Sequence, residues 1–219
     1  MRTLTIAIDG PSGVGKGTVA RAIAAELGYR HVDSGAMYRV VGWKALQLGI
    51  PLDDEARLSV LARESAIEIS ASLVTIDGTD VTRAIRTPEI DKAAAAVARL
   101  PHVREILVGR QRALGEQGGI VMEGRDIGTV VFPHADVKLY LDASAEERAR
   151  RRANDTAHTG TAALAEVATA LQERDKSDST RAASPLYAAQ DATVIDTTHE
   201  PIDAVVARVM GIVRGKLAD

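Results

Sequence analysis

The 219-residue sequence has no cysteine, few aromatic residues and no surplus of positive charge. Without cysteine, the chain has no disulfide scaffold, thiolate zinc site, iron–sulfur cluster or cysteine nucleophile, and it suits a reducing compartment. Aromatic residues make up 3% of the chain, which leaves little for base-stacking surfaces. Because 30 acidic residues outnumber 27 basic ones, the overall charge does not attract nucleic acid or an anionic membrane.

Long apolar runs are also missing. No window approaches the roughly 18 apolar residues of a membrane span, and the first apolar stretch is too short for a secretory signal. We therefore expect a cytoplasmic monomer with no nucleic-acid or membrane partner. What the chain does contain, 46% hydrophobic and 26% charged residues, is typical of a folded globular protein. Its length equals about one and a half average domains, which predicts one core with inserted pieces.

The first 28 residues predict a strand, a glycine-rich turn and a helix. Residues 3–9 are rich in β-branched side chains and are followed by Gly10 and Pro11, a pattern typical of a strand that ends in a turn. Apolar residues recur at helical spacing over residues 19–27, and Gly28 is placed to end that helix.

The rest of the chain alternates between strand and helix patterns. Short apolar or alternating runs predict strands at residues 66–70, 73–77, 119–122, 136–142 and 193–196. Helical spacing predicts helices at residues 36–48, 92–98, 101–114, 145–152, 162–178 and 202–217. This alternation predicts an α/β fold with a mostly parallel sheet covered on both faces. We expect the core at residues 1–50, 119–150 and 166–219, and an inserted α+β piece at residues 51–118.

Residues 10–18, with the sequence GPSGVGKGT, lie between the first strand and the first helix. Glycines allow backbone amides to turn toward phosphates, the helix start adds positive potential, and the lysine adds a point charge. We predict a nucleotide-phosphate-binding loop formed by Gly10, Pro11, Ser12, Gly13, Val14, Gly15, Lys16, Gly17 and Thr18. Gly17 stands where the strict pattern has Ser or Thr, so the loop does not identify the ligands of Mg²⁺.

This form of the loop resembles that of the nucleoside monophosphate kinases. Further segments of the chain are DSGAMYR at 33–39, GRDIGTVVFP at 124–133, ERD at 173–175, and Asp178, Arg181 and Pro185-Leu186. Together they are similar to the bacterial cytidylate kinase family, in the family's order and over most of the chain. The resemblance implies a P-loop three-layer sandwich with an inserted nucleoside-monophosphate-binding piece and a short lid at residues 151–165. The implied reaction transfers a phosphoryl group from ATP, with Mg²⁺, to CMP or dCMP.

The resemblance also implies roles for individual side chains. The catalytic residues would be Lys16, Arg125, Arg174 and Arg181. The acceptor nucleotide would contact Ser34, Arg39, Arg86, Arg104, Arg125, Asp126, Arg174, Asp178 and Arg181. ATP would contact the glycine-rich loop together with Arg151 and Arg152 of the lid. Ala95 stands where family members commonly have a serine, so that hydroxyl is missing from base recognition.

In the helix predicted at residues 162–178, the spacing of apolar and charged residues indicates a binding site independently of the resemblance. Its apolar stripe consists of Leu164, Val167, Ala168 and Leu171. Further helical steps along the same face lead to Arg174, Asp175, Asp178 and Arg181. A buried row of arginines needs acidic side chains or an anionic ligand opposite it. The alternative is that the helix ends near Gln172 and that these charges lie in solvent.

Other predicted site residues have a structural alternative as well. Arg125 follows a buried strand, where ligands of α/β sheets collect, but it could instead pair with Asp126 or Glu123. Ser34 could face a ligand or only cap the second helix. For the two lid arginines the alternative is a basic helix end, which the helix dipole favours.

Two other functions fit parts of the pattern. One is another small-molecule P-loop kinase, acting on a different nucleotide or on an alcohol such as a sugar or a shikimate-like compound. An alcohol acceptor needs a base, whereas a phosphate acceptor is already anionic near pH 7, so we assign Glu123 no catalytic role. The other is a nucleotide-hydrolysing switch, and the sequence lacks the NKxD motif of guanine-nucleotide switches.

Overall fold

The structure, a computed structural model, describes residues 3–155 and 164–218. The strands are β1 (Thr5–Asp9), β2 (Arg30–Asp33), β3 (Ile67–Ile69), β4 (Val74–Ile76), β5 (Thr79–Asp80), β6 (Ile120–Gly124), β7 (Val137–Asp142) and β8 (Thr193–Asp196). The α-helices are α1 (Lys16–Leu27), α2 (Ser34–Gln47), α3 (Glu55–Glu64), α4 (Pro88–Val97), α5 (Pro101–Leu114), α6 (Ala145–Ala153), α7 (Leu164–Thr180) and α8 (Ile202–Ala218). A short π-helix spans Ile127–Val131.

Five of the described strands form one parallel sheet in the order β2-β6-β1-β7-β8. Helices lie on both of its faces, which confirms the predicted α/β three-layer sandwich. The sequence pattern does not predict β2, because its residues, RHVD, include a single aliphatic side chain. Pairing with β6 over its whole length places β2 in the sheet. Within the described residues, no helix is long and apolar enough to cross a membrane.

The sheet packs a separate apolar layer on each face. Ile6 and Ile8 of β1 are fully buried against Val209 of α8 and the rest of one cluster, whereas Ala7 belongs to a cluster on the other face with Met122. Alternation along the strand accounts for this division. Burying an isoleucine side chain contributes about 1.5–3 kcal/mol, so β1 anchors the loop that follows it.

Residues between the second helix and β6 build a second apolar cluster. Here β3, β4 and β5 form an antiparallel sheet, within the region where two alternating runs predict strands. The buried residues of this cluster include Leu58, Ile85 and Leu107, and they pack against α2. The proposed boundaries of the inserted piece at 51–118 stay a prediction. Of the proposed lid at 151–165, residues 156–163 lie outside the described residues.

The carboxyl ends of three neighbouring strands lie level with one another. In the sheet register Asp9 of β1 pairs with Gly124 of β6, and Asp33 of β2 pairs with Glu123. The glycine-rich loop leaves β1 at this edge, α2 begins directly after β2, and Arg125 follows β6. Ligands of open α/β sheets bind at such an edge, so the fold brings the predicted site residues to one place.

Candidate active site

Backbone geometry requires glycine at two positions of the loop between β1 and α1. Gly10 has a φ of +146°, and a Cβ there would lie 2.1 Å from the carbonyl oxygen of Leu141. Gly13 has a φ of +79°, and its Cβ would lie 2.9 Å from the carbonyl oxygen of Arg148. Such φ values are strained for other residues, and the space is filled by neighbouring backbone. The glycines therefore allow the loop to lie close to β7 and α6.

Lys16 occupies the start of α1 at the floor of the loop. Its ammonium group is buried and donates a hydrogen bond of 2.6 Å to the carbonyl oxygen of Pro11. Burial, followed by the charge of Arg125, lowers the pKa of Lys16 to about 7. An anion placed beside the amine favours its charged form, so phosphates bound here would raise this pKa again.

Glu123 takes up the space beside Gly17. A Cβ at position 17 would lie 2.9 Å from Glu123 Oε1, and the same oxygen lies 3.1 Å from Nε2 of the buried His31. A serine or threonine after the lysine would meet this carboxylate. A larger residue at this position would therefore require the end of the Glu123 side chain to move, and no local signal in the sequence reveals this contact.

Asp9 ties the end of β1 to the π-helix. Its carboxylate accepts hydrogen bonds from the amides of Ile127 and Gly128, at 2.8 and 2.7 Å. Burial nevertheless raises the pKa of Asp9 to about 6. The π-helix follows directly on Arg125 and Asp126. These two bonds therefore set the position of the turn that carries both side chains relative to the glycine-rich loop.

Asp178 of α7 gathers three of the predicted arginines. Its carboxylate lies 2.9 Å from Arg125 Nε, 3.4 Å from Arg174 Nε and 3.8 Å from Arg181 Nη1. Burial would raise the pKa of Asp178, but these three charges outweigh it and lower the pKa below its usual value. The alternative that the helix ends near Gln172 is wrong, because α7 continues to Thr180, with Asp178 buried and Arg174 and Asp175 half-buried. Arg125 pairs with Asp178, so the alternative that it pairs with Asp126 or Glu123 is wrong as well.

Asp126 contacts two buried arginines, one of them also a neighbour of Asp178. It forms an ion pair with Arg104 of α5 and lies 3.6 Å from Arg181 Nη2. The guanidinium group of Arg104 also lies over the ring of Tyr38, 5.3 Å from its centroid. Sequence reasoning did not single out Tyr38, although it lies within the DSGAMYR segment. Burial raises the pKa of the Tyr38 hydroxyl to about 12, so this side chain is a neutral platform beside the charges.

Asp33 connects α2 with the segment before α4. Its carboxylate lies 3.0 Å from Arg86 Nη2 and 3.9 Å from Arg39 Nη1. Burial would raise the pKa of Asp33, but the charges of Arg39 and Arg86 lower it to about 2. Asp33 also caps α2, since it accepts a hydrogen bond from the amide of Ala36. Ser34 donates to the carbonyl oxygen of Glu123 at 2.7 Å instead, so the capping alternative for Ser34 is wrong.

The two arginines assigned to the lid lie at opposite sides of the cleft. Arg151 donates hydrogen bonds to the carbonyl oxygens of Val14 in the loop, at 3.2 Å, and of Thr197, at 2.6 Å. Arg152 pairs with Asp91 of α4. Arg151 therefore lies against the glycine-rich loop, whereas Arg152 reaches toward the acceptor side that the sequence predicts.

One cleft of about 1180 Å³ brings these groups together. Every predicted site residue lines it except Gly10 and Pro11, which support the loop from behind. Its described lining contains twelve Lys and Arg side chains and seven Asp and Glu side chains. A chain whose formal net charge is −3 thus concentrates positive charge at one place, which favours small anions.

A parallel α/β sheet, a glycine-rich loop with Lys16 at the start of α1 and an arginine-lined cleft define a P-loop kinase. The fold is similar to a shikimate kinase from Bacteroides thetaiotaomicron, with a TM-score of 0.53 and 11% identity over 97% of this chain and 99% of that one. It is also similar to an uncharacterized protein from Eubacterium ventriosum ATCC 27560, with a TM-score of 0.55 and 9% identity over 98% and 99% of the two chains.

Sequence comparison identifies the family. The sequence model of the family described as cytidylate kinase matches residues 6–215. A cytidylate kinase of Desulfitobacterium hafniense (strain Y51) is 47% identical over 99% of this chain and 95% of its own length. A cytidylate kinase of Desulforamulus reducens is 49% identical over 94% of both chains. The chain belongs to the cytidylate kinase family and is a nucleoside monophosphate kinase.

Proposed function

We propose that the chain transfers the γ-phosphoryl group of ATP to CMP and to dCMP, which yields CDP and dCDP. The observation that carries the proposal is the excess of cationic side chains in one cleft, which contains both the glycine-rich loop and the arginines around Asp178. The reaction brings together two anions, and the converging cations lower their mutual repulsion. Catalysis would then depend on positioning and electrostatic stabilisation.

On the donor side, the loop and Lys16 would bind the triphosphate. The amine of Lys16 is held at the loop by Pro11 and would exchange that hydrogen bond for phosphate oxygens. Arg151 already contacts the loop at Val14 and would add charge beside it. We propose residues 151–165 as the lid that excludes water when both substrates are bound.

On the acceptor side, Arg39, Arg125, Arg174 and Arg181 would bind the phosphate of the nucleoside monophosphate. Aspartates contact Arg39, Arg125 and Arg174 at Nε, the guanidinium nitrogen next to the aliphatic part of the side chain. The Nη1 atoms of the three arginines also lie against protein oxygens, of Asp33, Gly124 and Asp91 respectively. The Nη2 atoms would then contact phosphate oxygens. An acceptor phosphate is already anionic near neutral pH, so this transfer requires no general base.

The nucleoside of the acceptor would lie between the core and the inserted piece at 51–118. Arg104 and Asp126 present a donor and an acceptor of hydrogen bonds next to the ring of Tyr38. Arg86, whose segment precedes α4, lines the same cleft. Ala95 lies within α4 and adds no hydroxyl. We therefore propose that Arg104 and Asp126 recognise the base without a hydroxyl group at position 95.

The donor side also contains oxygen atoms suited to Mg²⁺. Mg²⁺ is commonly bound by one or two carboxylates together with substrate phosphates and water. Glu123 fits this role, because its carboxylate lines the cleft next to Gly17 and Lys16. When bound, Mg²⁺ would neutralise part of the phosphate charge. Within the described residues, no group of three or more His, Asp or Glu side chains could hold a metal ion by itself, so the triphosphate would supply further ligands.

An acceptor panel tests the proposal. ADP release is measured in a coupled assay with CMP, dCMP, UMP, AMP, GMP and shikimate, each with ATP and Mg²⁺. We expect CMP and dCMP to give the highest kcat/KM and the diphosphate to appear in equal amount to ADP. Preference for AMP, GMP or shikimate would contradict the proposal, and so would ADP release that does not depend on an acceptor.

A further inference from the structure

Asp91 of α4 contacts arginines from three different helices. Its carboxylate oxygens divide between Arg39 of α2, whose Nε lies 3.1 Å from Oδ1, and Arg152 of α6, which pairs with Oδ2. Its main-chain oxygen accepts a hydrogen bond of 2.7 Å from Arg174 Nη1 of α7. No motif in the sequence pointed to Asp91. One residue therefore connects the acceptor-side arginines with an arginine predicted to bind ATP.

The position of Asp91 relative to the cleft is informative. Among the described residues that line the cleft are Arg39, Arg152 and Arg174, but not Asp91. Asp91 thus contacts these arginines from behind, and it contacts Arg39 at Nε rather than at the terminal nitrogens. Asp91 contacts Arg152 and Arg174 at one terminal nitrogen each, yet all three arginines still line the cleft, which is the arrangement expected of a residue that orients other side chains.

The charges of Arg39 and Arg152 explain why a carboxylate is needed between these two side chains. Burial lowers the pKa of Arg152, Asp91 opposes this effect, and the nearby charge of Arg39 adds to it. Arg39 and Arg152 therefore repel each other, and the carboxylate between them offsets this repulsion. Without it, the two guanidinium groups would separate before a substrate phosphate arrives.

A simpler role for Asp91 is to stabilise the start of α4. Acidic residues in the first turn of a helix interact favourably with its dipole. Glu89 is also an acidic residue of this first turn, and it is exposed. The dipole accounts for both acids equally and does not account for three arginine contacts at Asp91 alone.

We propose that Asp91 is a positioning residue, which aligns Arg39 with Arg152 and Arg174 so that acceptor and donor phosphates are bound by one connected set of arginines. The inference rests on the proposed function, in which these arginines bind phosphate groups. Its consequence is specific, since removal of the Asp91 charge weakens the binding of a phosphate rather than of a nucleoside.

Binding measurements on Asp91→Asn test this consequence, with Glu89→Gln as the control that removes an equal charge from the same turn. Isothermal titration calorimetry gives the Kd of CMP and of cytidine, which lacks the phosphate. For D91N we expect a CMP Kd about tenfold higher and an unchanged cytidine Kd, since an arginine–phosphate contact contributes about 1.4 kcal/mol or more. E89Q leaves both Kd values unchanged. An unchanged CMP Kd in D91N, or an equal loss of cytidine binding, overturns the proposal.

A double-mutant cycle separates positioning from general stability. If Asp91 acts through Arg39, the change D91N raises the CMP Kd less than twofold in an Arg39→Gln background, because the residue to be oriented is gone. Additive effects of the two changes overturn the proposal. If D91N does not fold by circular dichroism, Arg152→Gln removes the same bridge from its other end. R152Q is then expected to raise the CMP Kd, and an unchanged CMP Kd in R152Q would contradict the positioning role of Asp91.

These measurements also distinguish the positioning role from the proposed function. CMP binding is measured without ATP, so it does not depend on phosphoryl transfer. A chain that binds CMP through Asp91-dependent contacts but forms no CDP contradicts the proposed function alone. A chain that forms CDP while D91N binds CMP like the wild type contradicts the positioning role alone.

Discussion

The carboxylate of Glu123 lies next to Gly17, and a Cβ at position 17 would lie 2.9 Å from Glu123 Oε1. The two residues are far apart in the sequence, on the first turn of α1 and at the end of β6. The carboxylate lies 3.1 Å from Nε2 of His31, a buried residue of the neighbouring β2. A larger residue after the lysine would therefore displace the end of the Glu123 side chain and its contact with His31.

Gly17→Ser, which restores the strict loop pattern, is expected to impair the enzyme. The added side chain would displace Glu123 or shift the start of α1, so we expect kcat/KM for ATP to fall about tenfold or more. Steady-state kinetics at saturating CMP measures this value. Gly109→Ser is the matched control, since Gly109 lies inside α5 with no atom within 4 Å of an added Cβ. A G17S enzyme as active as G109S would contradict the steric explanation.

Binding of ATP at pH 8 is expected to take up close to one proton at Lys16. Burial lowers the pKa of Lys16 in the free protein to about 7, so its amine is mostly neutral at pH 8. Bound phosphates favour the charged form, and we expect them to raise the pKa well above 8. Calorimetric titrations in two buffers of different ionisation enthalpy give the number of protons.

Lys16→Arg serves as the control for this proton uptake, because arginine keeps its charge at pH 8. We expect the uptake to disappear in K16R, whether or not ATP binds more weakly. Equal uptake in the wild type and in K16R would assign the proton to another group.

Asp33→Asn is expected to lower the free energy of unfolding by about 2 kcal/mol at neutral pH. The charges of Arg39 and Arg86 hold the pKa of Asp33 at about 2, against an ordinary value of 3.8. Because the folded-state pKa lies below the unfolded one, this stabilisation is present above about pH 4 and is lost as the pH falls toward 2.

Urea denaturation of the wild type and of D33N over this pH range measures the difference. Asparagine also caps helices, so the variant keeps the cap of α2 and removes the charge. The two unfolding free energies should converge as the pH approaches 2. A difference that does not depend on pH would place the effect outside the ionisation of Asp33.

Arg181→Met is expected to lower kcat with CMP by about 10²-fold while the Kd of ATP changes less than twofold. Arg181 lies against Asp126 and Asp178, and we propose that it binds the acceptor phosphate. Arg214→Met is a suitable control, since Arg214 is exposed on α8 and pairs with Glu26. An equal loss of ATP affinity in R181M would place Arg181 on the donor side.

Local patterns predicted most of the central architecture. The β-branched run of β1, the glycines after it and the apolar spacing of α1 each reflect a preference of a few neighbouring residues. The charged face of α7 was predictable in the same way, because helical spacing carries it from Leu171 to Asp178. By contrast, β2 has a single aliphatic residue, and its hydrogen bonds to β6 make it a strand.

The charge partners were not predictable by such reasoning. Helical spacing favoured an inward position for Arg174 and left a solvent position open, and it did not show that Arg125 meets Asp178, which lies 53 positions away. Tyr38 and Asp91 became visible only through their contacts with arginines of other elements. Each such pair depends on how α2, α4 and α7 pack around the sheet edge.

The sequence by itself determined that this chain has a phosphate-binding loop, a parallel α/β core and a family membership, because these depend on residue types at fixed short spacing. The tertiary structure decided which aspartate contacts which arginine and which side chain lies beside Gly17. These relationships arise where distant segments meet in a buried, charged cleft, and there the energy of a group depends on its spatial neighbours rather than on its neighbours in the chain.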